Sequence, residues 1–292
     1  MQCDGLILKG IGGFYYVEAA GETFECRARG IFRKEKITPL PGDRVTINAA
    51  ENGAENTIEV IHERKSVIRR PPVANIDRIF IVVSVREPSP NLLLTDRMIA
   101  IAEDKGIEPA VVITKTDLGD PSYMAGAYRL AGIITLCMPD NADELRCELA
   151  GHISAFAGNS GVGKSTLLNR VDESLRIDTA EISKKLGRGR HTTRHVELYG
   201  TAGGYVADTP GFSSLEFLKD EFIPKENLQF CFREFLPYVG KCRFSTCAHV
   251  ADSGCKIREA VGNGTIARSR HASYIALYNE AKAQERMYSQ TT

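Results

Sequence analysis

Charge of one sign is not in excess: 37 Lys and Arg stand against 37 Asp and Glu across 292 residues, a formal net charge of +0. No bulk field therefore draws the chain to nucleic acid, and any such contact must come from a local basic patch. Long apolar runs are also missing. None approaches the about 20 residues that cross a bilayer. The opening MQCDGLILKG lacks a signal-peptide pattern, so a soluble, cytoplasmic protein without membrane contact is expected. The cysteines include no Cys-x-x-Cys pair, and a cytoplasmic chain does not normally oxidise them to disulfides. What is present suits a multi-domain protein: 292 residues exceed one typical domain, and 43% hydrophobic content fills real cores.

Gly158-Asn159-Ser160-Gly161-Val162-Gly163-Lys164-Ser165 matches G-x-x-x-x-G-K-[ST] at every fixed position. A triphosphate must be held without filling its space with side chains. Glycines let successive backbone N–H groups turn inward, Lys164 reaches the outer phosphates, and the Ser165 hydroxyl suits Mg²⁺. The flanks agree. His152 to Ala157 reads as a buried strand, and Thr166 to Val171 opens an amphipathic helix whose N-terminus faces the phosphates.

Two further motifs choose the nucleotide. Asp208-Thr209-Pro210-Gly211 follows the strand-like Tyr205-Val206-Ala207. It is a D-x-x-G arrangement, with Asp208 holding Mg²⁺ through water and the Gly211 N–H meeting the γ-phosphate. Thr114-Lys115-Thr116-Asp117 follows the strand Ala110–Ile113 and looks like the guanine-reading [NT]KxD motif. A carboxylate there accepts two hydrogen bonds from guanine N–H groups, while adenine offers the opposite pattern. GTP is therefore expected over ATP.

The order of the motifs is unusual, because the base motif precedes the phosphate loop. The chain resembles the circularly permuted GTPases. Within them it is similar to the ribosome small-subunit-dependent GTPase A family, known as RsgA, YjeQ or YloQ. The GNSGVGKS loop, the GRGRHTTR segment at Gly187–Arg194, DTPGF at Asp208–Phe212 and the cysteine cluster described below carry the resemblance. It implies a GTP hydrolase that assembles the small ribosomal subunit, binds its rRNA and is stimulated by it. A GTP-dependent RNA-binding adaptor with incidental hydrolysis is the competing class. A monomer is expected.

Three blocks are expected, giving a multi-domain α/β chain. Residues 1–70 show short alternating runs such as Phe14–Val17, Thr23–Cys26 and Arg44–Ile47, punctuated by Gly12-Gly13, Pro41-Gly42-Asp43 and Asn52-Gly53. They read as an OB-like β-barrel. Its basic patch Arg27, Arg29, Arg33, Lys34 and Lys36, with Phe24 and Phe32 nearby, suits RNA as well as a solvated face, and the resemblance favours RNA. Residues 71–217 alternate strands at Ile79–Val85, Ala110–Ile113, Ile133–Leu136 and Ile153–Ala157 with helices, notably Leu92–Lys105, as in a permuted phosphate-loop GTPase domain. One feature departs from the family. Leu136-Cys137 stands where a Ser-Ala pair usually supports the guanine.

Ser183–Arg194 has no acidic residue and reads as a mobile basic loop, by position switch I. Thr192 or Thr193 would bind Mg²⁺ there, and the family pattern suggests Thr193. Ras-type enzymes orient water with a Gln after DxxG, but Phe212 occupies that place. His191 is the sequence's candidate for that catalytic role.

Residues 218–292 contain Cys242-x₄-Cys247-x-His249-x₅-Cys255. Three thiolates and one imidazole satisfy one structural Zn²⁺. The block is expected to be mostly helical, with Lys256, Arg258, Arg268 and Arg270 on a basic face and a helix from about Thr265 to Met287. Cys3, Cys26, Cys137, Cys147 and Cys231 read as small apolar fillers.

Overall fold

Residues 1–50, 55–171, 196–208, 218 and 221–289 are described by a computed structural model. The chain divides into two compact units, one of Met1–Arg78, Asp143–Phe156 and Ser165–Phe212, the other of Ile79–Ala142, Ala157–Lys164 and Ser213–Thr292.

The chain opens with β1 (Gln2–Ile11), β2 (Phe14–Ala19), β3 (Glu22–Ala28), α1 (Gly30–Lys34), β4 (Arg44–Asn48) and β5 (Asn56–Ile61). Gly12 and Gly13 join β1 to β2 with φ of 61° and 87°. A two-residue hairpin turn needs that pair of positive φ values, which two glycines adopt without strain. β1 pairs antiparallel with both β2 and β4, and β3 pairs parallel with β5, giving the closed order β1-β2-β3-β5-β4-β1. Register shifts in the β1–β2 and β4–β5 pairings bend the strands as closure requires. This is a five-stranded OB-like barrel. Alternation sends Ile7, Val17, Cys26, Val45, Ile47 and Ile58 inward, and Phe32 of α1 joins them in the core.

A short pair β6 (Val67–Ile68) and β7 (Val73–Ala74) follows. Strands and helices then alternate through β8 (Arg78–Ser84), α2 (Leu92–Asp104), β9 (Glu108–Thr114), α3 (Ser122–Leu130) and β10 (Ile134–Cys137). They continue with α4 (Ala142–Leu149), β11 (Ile153–Ala157), α5 (Lys164–Val171), β12 (Glu197–Thr201) and β13 (Gly204–Asp208). In the first unit, β11 runs parallel to β13, β13 antiparallel to β12, and β12 pairs with β1 where Lys9 meets Glu197 in a 2.7 Å ion pair. In the second unit, β9 lies between β8 and β10 and runs parallel to β10. Val111, Val112 and Ile113 are wholly buried, as expected of a continuous apolar run inside a parallel sheet. The Asn91 side chain caps α2 by accepting from Leu94 N at 3.0 Å.

The C-terminal region of the second unit has two 3₁₀ turns (Leu228–Cys231 and Arg233–Phe235), α6 (Lys256–Gly262) and α7 (Arg268–Ser289). Phe232, Phe235, Ile257, Tyr274 and Leu277 form its core with Ala100 of α2. Burying each large side chain contributes roughly 1.5–3 kcal/mol.

Two expectations are corrected here. Arg270 is not on a basic face. It is buried in ion pairs with Asp96 of α2 and Glu234, both at 2.8 Å, with its guanidinium 4.5 Å from the Phe232 ring centroid. A buried cation persists only when paired, so neighbouring carboxylates overrode the sequence pattern. Of the scattered cysteines, Cys26 and Cys231 fill cores, whereas Cys147 is exposed. On the barrel, Arg27 pairs with Glu55 and Arg29 with Glu59, while Arg33, Lys34 and Lys36 are exposed.

Candidate nucleotide site and metal cluster

The phosphate loop turns out of β11 at Gly158. Its φ is 151°, and a Cβ there would lie 2.4 Å from Val82 O of β8. Only glycine permits that approach. The loop then closes around its own lysine: Lys164 Nζ donates to Gly158 O and Asn159 O, each at 2.7 Å. Burial pushes the Lys164 ammonium down to about 8, and a polyanion beside it would restore the charge. Ser160 and Gly161 are exposed, Val162 is buried, and Gly163 and Ser165 are half-buried. Ser165 and Thr166 stand in the first turn of α5. The first turns of α2 back the loop, since Asn91, Leu94 and Thr95 line a 10 Å³ cavity with Asn159 and Val162.

The base motif is tied to this loop. Thr114, buried at the end of β9, donates its hydroxyl to Val162 O at 2.6 Å. Lys115 adopts φ 55° and its Nζ donates to Glu87 O. Thr116 Oγ1 donates to Met138 O at 2.7 Å. Asp117 lies exposed in the short turn Thr116–Leu118. Gly158–Lys164 and the base motif therefore share one unit, although 40 residues of chain separate Asp117 from Gly158. Asp208 ends β13, whose Ala207 pairs with Ala155 of β11. Gly211, Phe212, His191, Thr192 and Thr193 lie outside the described residues.

The four metal donors come together. One ligand atom from each of Cys242, Cys247, His249 and Cys255 lies within 4.8 Å of the others. His249 Nδ1 is 3.6 Å from Cys242 Sγ and 3.5 Å from Cys255 Sγ, while its Nε2 meets Gln229 Oε1 at 3.0 Å. An Nε2–H donating to that amide oxygen leaves the Nδ1 lone pair facing the sulfurs. Backbone N–H groups of Lys256 and Arg258 donate to Cys242 Sγ and Cys255 Sγ, which favours thiolates. Burial pushes the Cys247 thiol up to about 12, a shift that a divalent cation among the donors would reverse. Three sulfurs, one nitrogen and an oriented imidazole fit tetrahedral Zn²⁺.

Sequence reasoning missed several partners: Gln229, Asn141 and the Asp96–Arg270–Glu234 cluster. Asn141 holds the turn after β10 by accepting from Cys137 N at 2.7 Å. None of these carries a local pattern, since each acts on residues that only the fold brings near.

A phosphate loop, a TKxD base motif bonded to it and the reversed chain order define a circularly permuted GTPase. Family models described as RsgA GTPase and RsgA N-terminal domain match residues 61–218 and 4–58. The chain belongs to the RsgA GTPase family and is a GTP-hydrolysing enzyme. It is 44% identical over 288 residues to "Small ribosomal subunit biogenesis GTPase RsgA" of Ruminiclostridium cellulolyticum, covering 95% of this chain and 93% of that one. The protein of the same description from Shouchella clausii is 43% identical over 295 residues, covering 98% and 99%. Among solved structures, "YloQ, a circularly permuted GTPase" superimposes with a TM-score of 0.81 at 34% identity, covering 97% of this chain and 96% of that one. YjeQ from Thermotoga maritima gives 0.78 at 33%, covering 96% and 99%. Among the described residues, no helix is long and apolar enough to cross a membrane.

Proposed function

We propose that this chain hydrolyses GTP as an assembly factor of the small ribosomal subunit, binding its rRNA and stimulated by it. The observation that carries the reading is the Thr114–Val162 hydrogen bond, which joins a guanine motif to a phosphate loop; family membership supplies the ribosomal partner. Asp117 accepts the guanine N–H groups and the Lys115 stem covers the ring. Backbone N–H groups from Gly158 to Thr166, with Lys164, hold the phosphates. The site's oxygen donors suit Mg²⁺, which Ser165, Thr193 and Asp208 would hold and which supplies charge neutralisation at the phosphates. Gly211 N–H meets the γ-phosphate, and His191 orients the attacking water in place of the missing glutamine.

Residues 1–70 form the RNA-binding barrel in this reading, residues 71–217 the GTPase domain and residues 218–292 the zinc domain. On the barrel, Arg33, Lys34 and Lys36 are the exposed cations that RNA would meet. Cys242, Cys247, His249 and Cys255 would hold one Zn²⁺ with a structural role, since four protein donors close its coordination. The protein works as a monomer in the cytoplasm. GTP turnover measured alone and with purified small subunits tests the reading. A large stimulation that His191→Ala abolishes is expected. An unchanged rate with subunits present sinks the ribosomal role, and tight GTP binding without turnover would instead favour an adaptor.

A further inference from the structure

Two neighbours in the first turn of α7 hold different parts of the second unit. Arg270 pairs with Asp96 of α2 at 2.8 Å, and both side chains are buried. His271, also buried, has its Nε2 2.8 Å from His249 O. A carbonyl only accepts, so that nitrogen carries the proton. One turn further on, the Tyr274 hydroxyl donates to Ala248 O at 3.0 Å. The metal loop needs such support. Of the four cluster ligands, His249 alone has a left-handed backbone, with φ 61°, a conformation that a non-glycine residue keeps only where its surroundings impose it. At the other end, Asp96 directly follows Thr95, which with Asn91 and Leu94 lines the cavity against Asn159 and Val162 of the phosphate loop. All of these residues belong to one compact unit.

We propose that His271 and Arg270 are positioning residues that join the metal cluster to the phosphate loop through α2, so that zinc occupancy and nucleotide affinity depend on each other. The proposal rests on the zinc and nucleotide readings above and adds a dependence between them. His249 is the element with two arrangements. Ligated through Nδ1, it keeps its left-handed backbone and presents its carbonyl to His271. Released, it relaxes toward the right-handed or extended regions, and His271 loses its acceptor. The first turn of α7 then holds Arg270 less firmly against Asp96, and the start of α2 backs the phosphate loop less firmly. The same contacts read in reverse let a nucleotide on the loop favour the zinc-bound arrangement, and linkage requires one factor in both directions.

The test uses two binding measurements on the full chain, neither of which needs turnover. GDP affinity is measured with zinc bound and after zinc is stripped. Zinc affinity is measured by competition with a zinc-selective chelator, with and without saturating GDP. GDP should still bind the stripped chain, about fivefold more weakly, and GDP should raise zinc affinity by the same factor, at the lower end of coupling between sites. His271→Phe keeps a ring and removes the donor. It should weaken zinc binding and bring both factors close to one, while His271→Gln, whose amide can donate in place of Nε2–H, should restore them. Should His271→Phe fail to fold, Asp96→Asn keeps the volume and removes the charge that Arg270 holds; it should leave zinc affinity unchanged and still abolish the factors. A merely structural His271 would change zinc affinity and leave the factors standing, which overturns the proposal. So would an unmodified chain whose GDP affinity ignores zinc and whose zinc affinity ignores GDP. A chain with intact thiols that binds no zinc would fell the zinc reading itself, and one that binds no GDP the nucleotide reading.

Discussion

The hydroxyl of Thr114 donates 2.6 Å to the carbonyl oxygen of Val162, so the residue that opens the base motif also fixes the middle of the phosphate loop. Both groups are buried. Thr114→Val keeps the shape and strips the donor, and a buried carbonyl left without its partner costs about 1–3 kcal/mol. GTP and GDP affinities should fall together in this variant, by up to about tenfold, and Thr114→Ser should recover them. Isothermal titration with both nucleotides checks this. A drop confined to GTP would mean that the bond serves the γ-phosphate alone.

Asp117→Asn should exchange the substrate. An amide presents a donor where the carboxylate accepted, which suits the extra carbonyl of xanthine. GTP binding should weaken at least tenfold and xanthosine triphosphate binding should appear. Equal GTP affinity in the variant would remove Asp117 from the base site.

Nucleotide affinity should depend on pH through Lys164. In the nucleotide-free protein burial lowers its pKa to about 8, and bound phosphates raise it again. Below pH 8 the lysine is charged before and after binding, so affinity is flat on its account. Above pH 8 binding must take up a proton, and affinity falls by as much as about tenfold per pH unit. The same lysine has the opposite effect on folding: stability held back by its buried charge below pH 8 rises as pH climbs beyond it. GDP titrations from pH 7 to 9.5 test the sign, with Lys164→Arg as the control that should flatten the slope.

Metal analysis should find one zinc per chain. Chelation should loosen the C-terminal region, where the four donors span only 14 residues and the surrounding core is small. GDP binding should survive, since the nucleotide motifs lie between Thr114 and Gly211 in the sequence and the four donors between Cys242 and Cys255. Gln229→Ala should weaken zinc retention about 10–100-fold by releasing His249 Nε2. Zinc-free protein with intact thiols would refute the site.

Arg270 joins the C-terminal helix to α2 through Asp96 and Glu234. Arg270→Met should cost about 3–5 kcal/mol, because two carboxylates remain buried without their cation. Replacing all three members by apolar residues of similar volume should recover most of that loss. Chemical denaturation of the single and triple variants measures both.

Contiguous motifs are legible from sequence because their chemistry is local. The phosphate loop, TKxD, the Asp208 strand end and the spaced cysteines announce themselves by residue type at fixed spacing, and the period-two runs of residues 1–70 already describe barrel strands. Their reversed order alone identifies the permuted class. Tertiary structure decided what those motifs are attached to. Thr114 finds Val162, 48 residues away; His249 finds Gln229, 20 away; Arg270 finds Asp96, 174 away. It also took Arg270 out of solvent and neutralised Arg27 and Arg29 with nearby carboxylates. Such pairings depend on strand register and helix packing, and a hydrogen-bond partner chosen by folding leaves no trace in the spacing of the residues that share it.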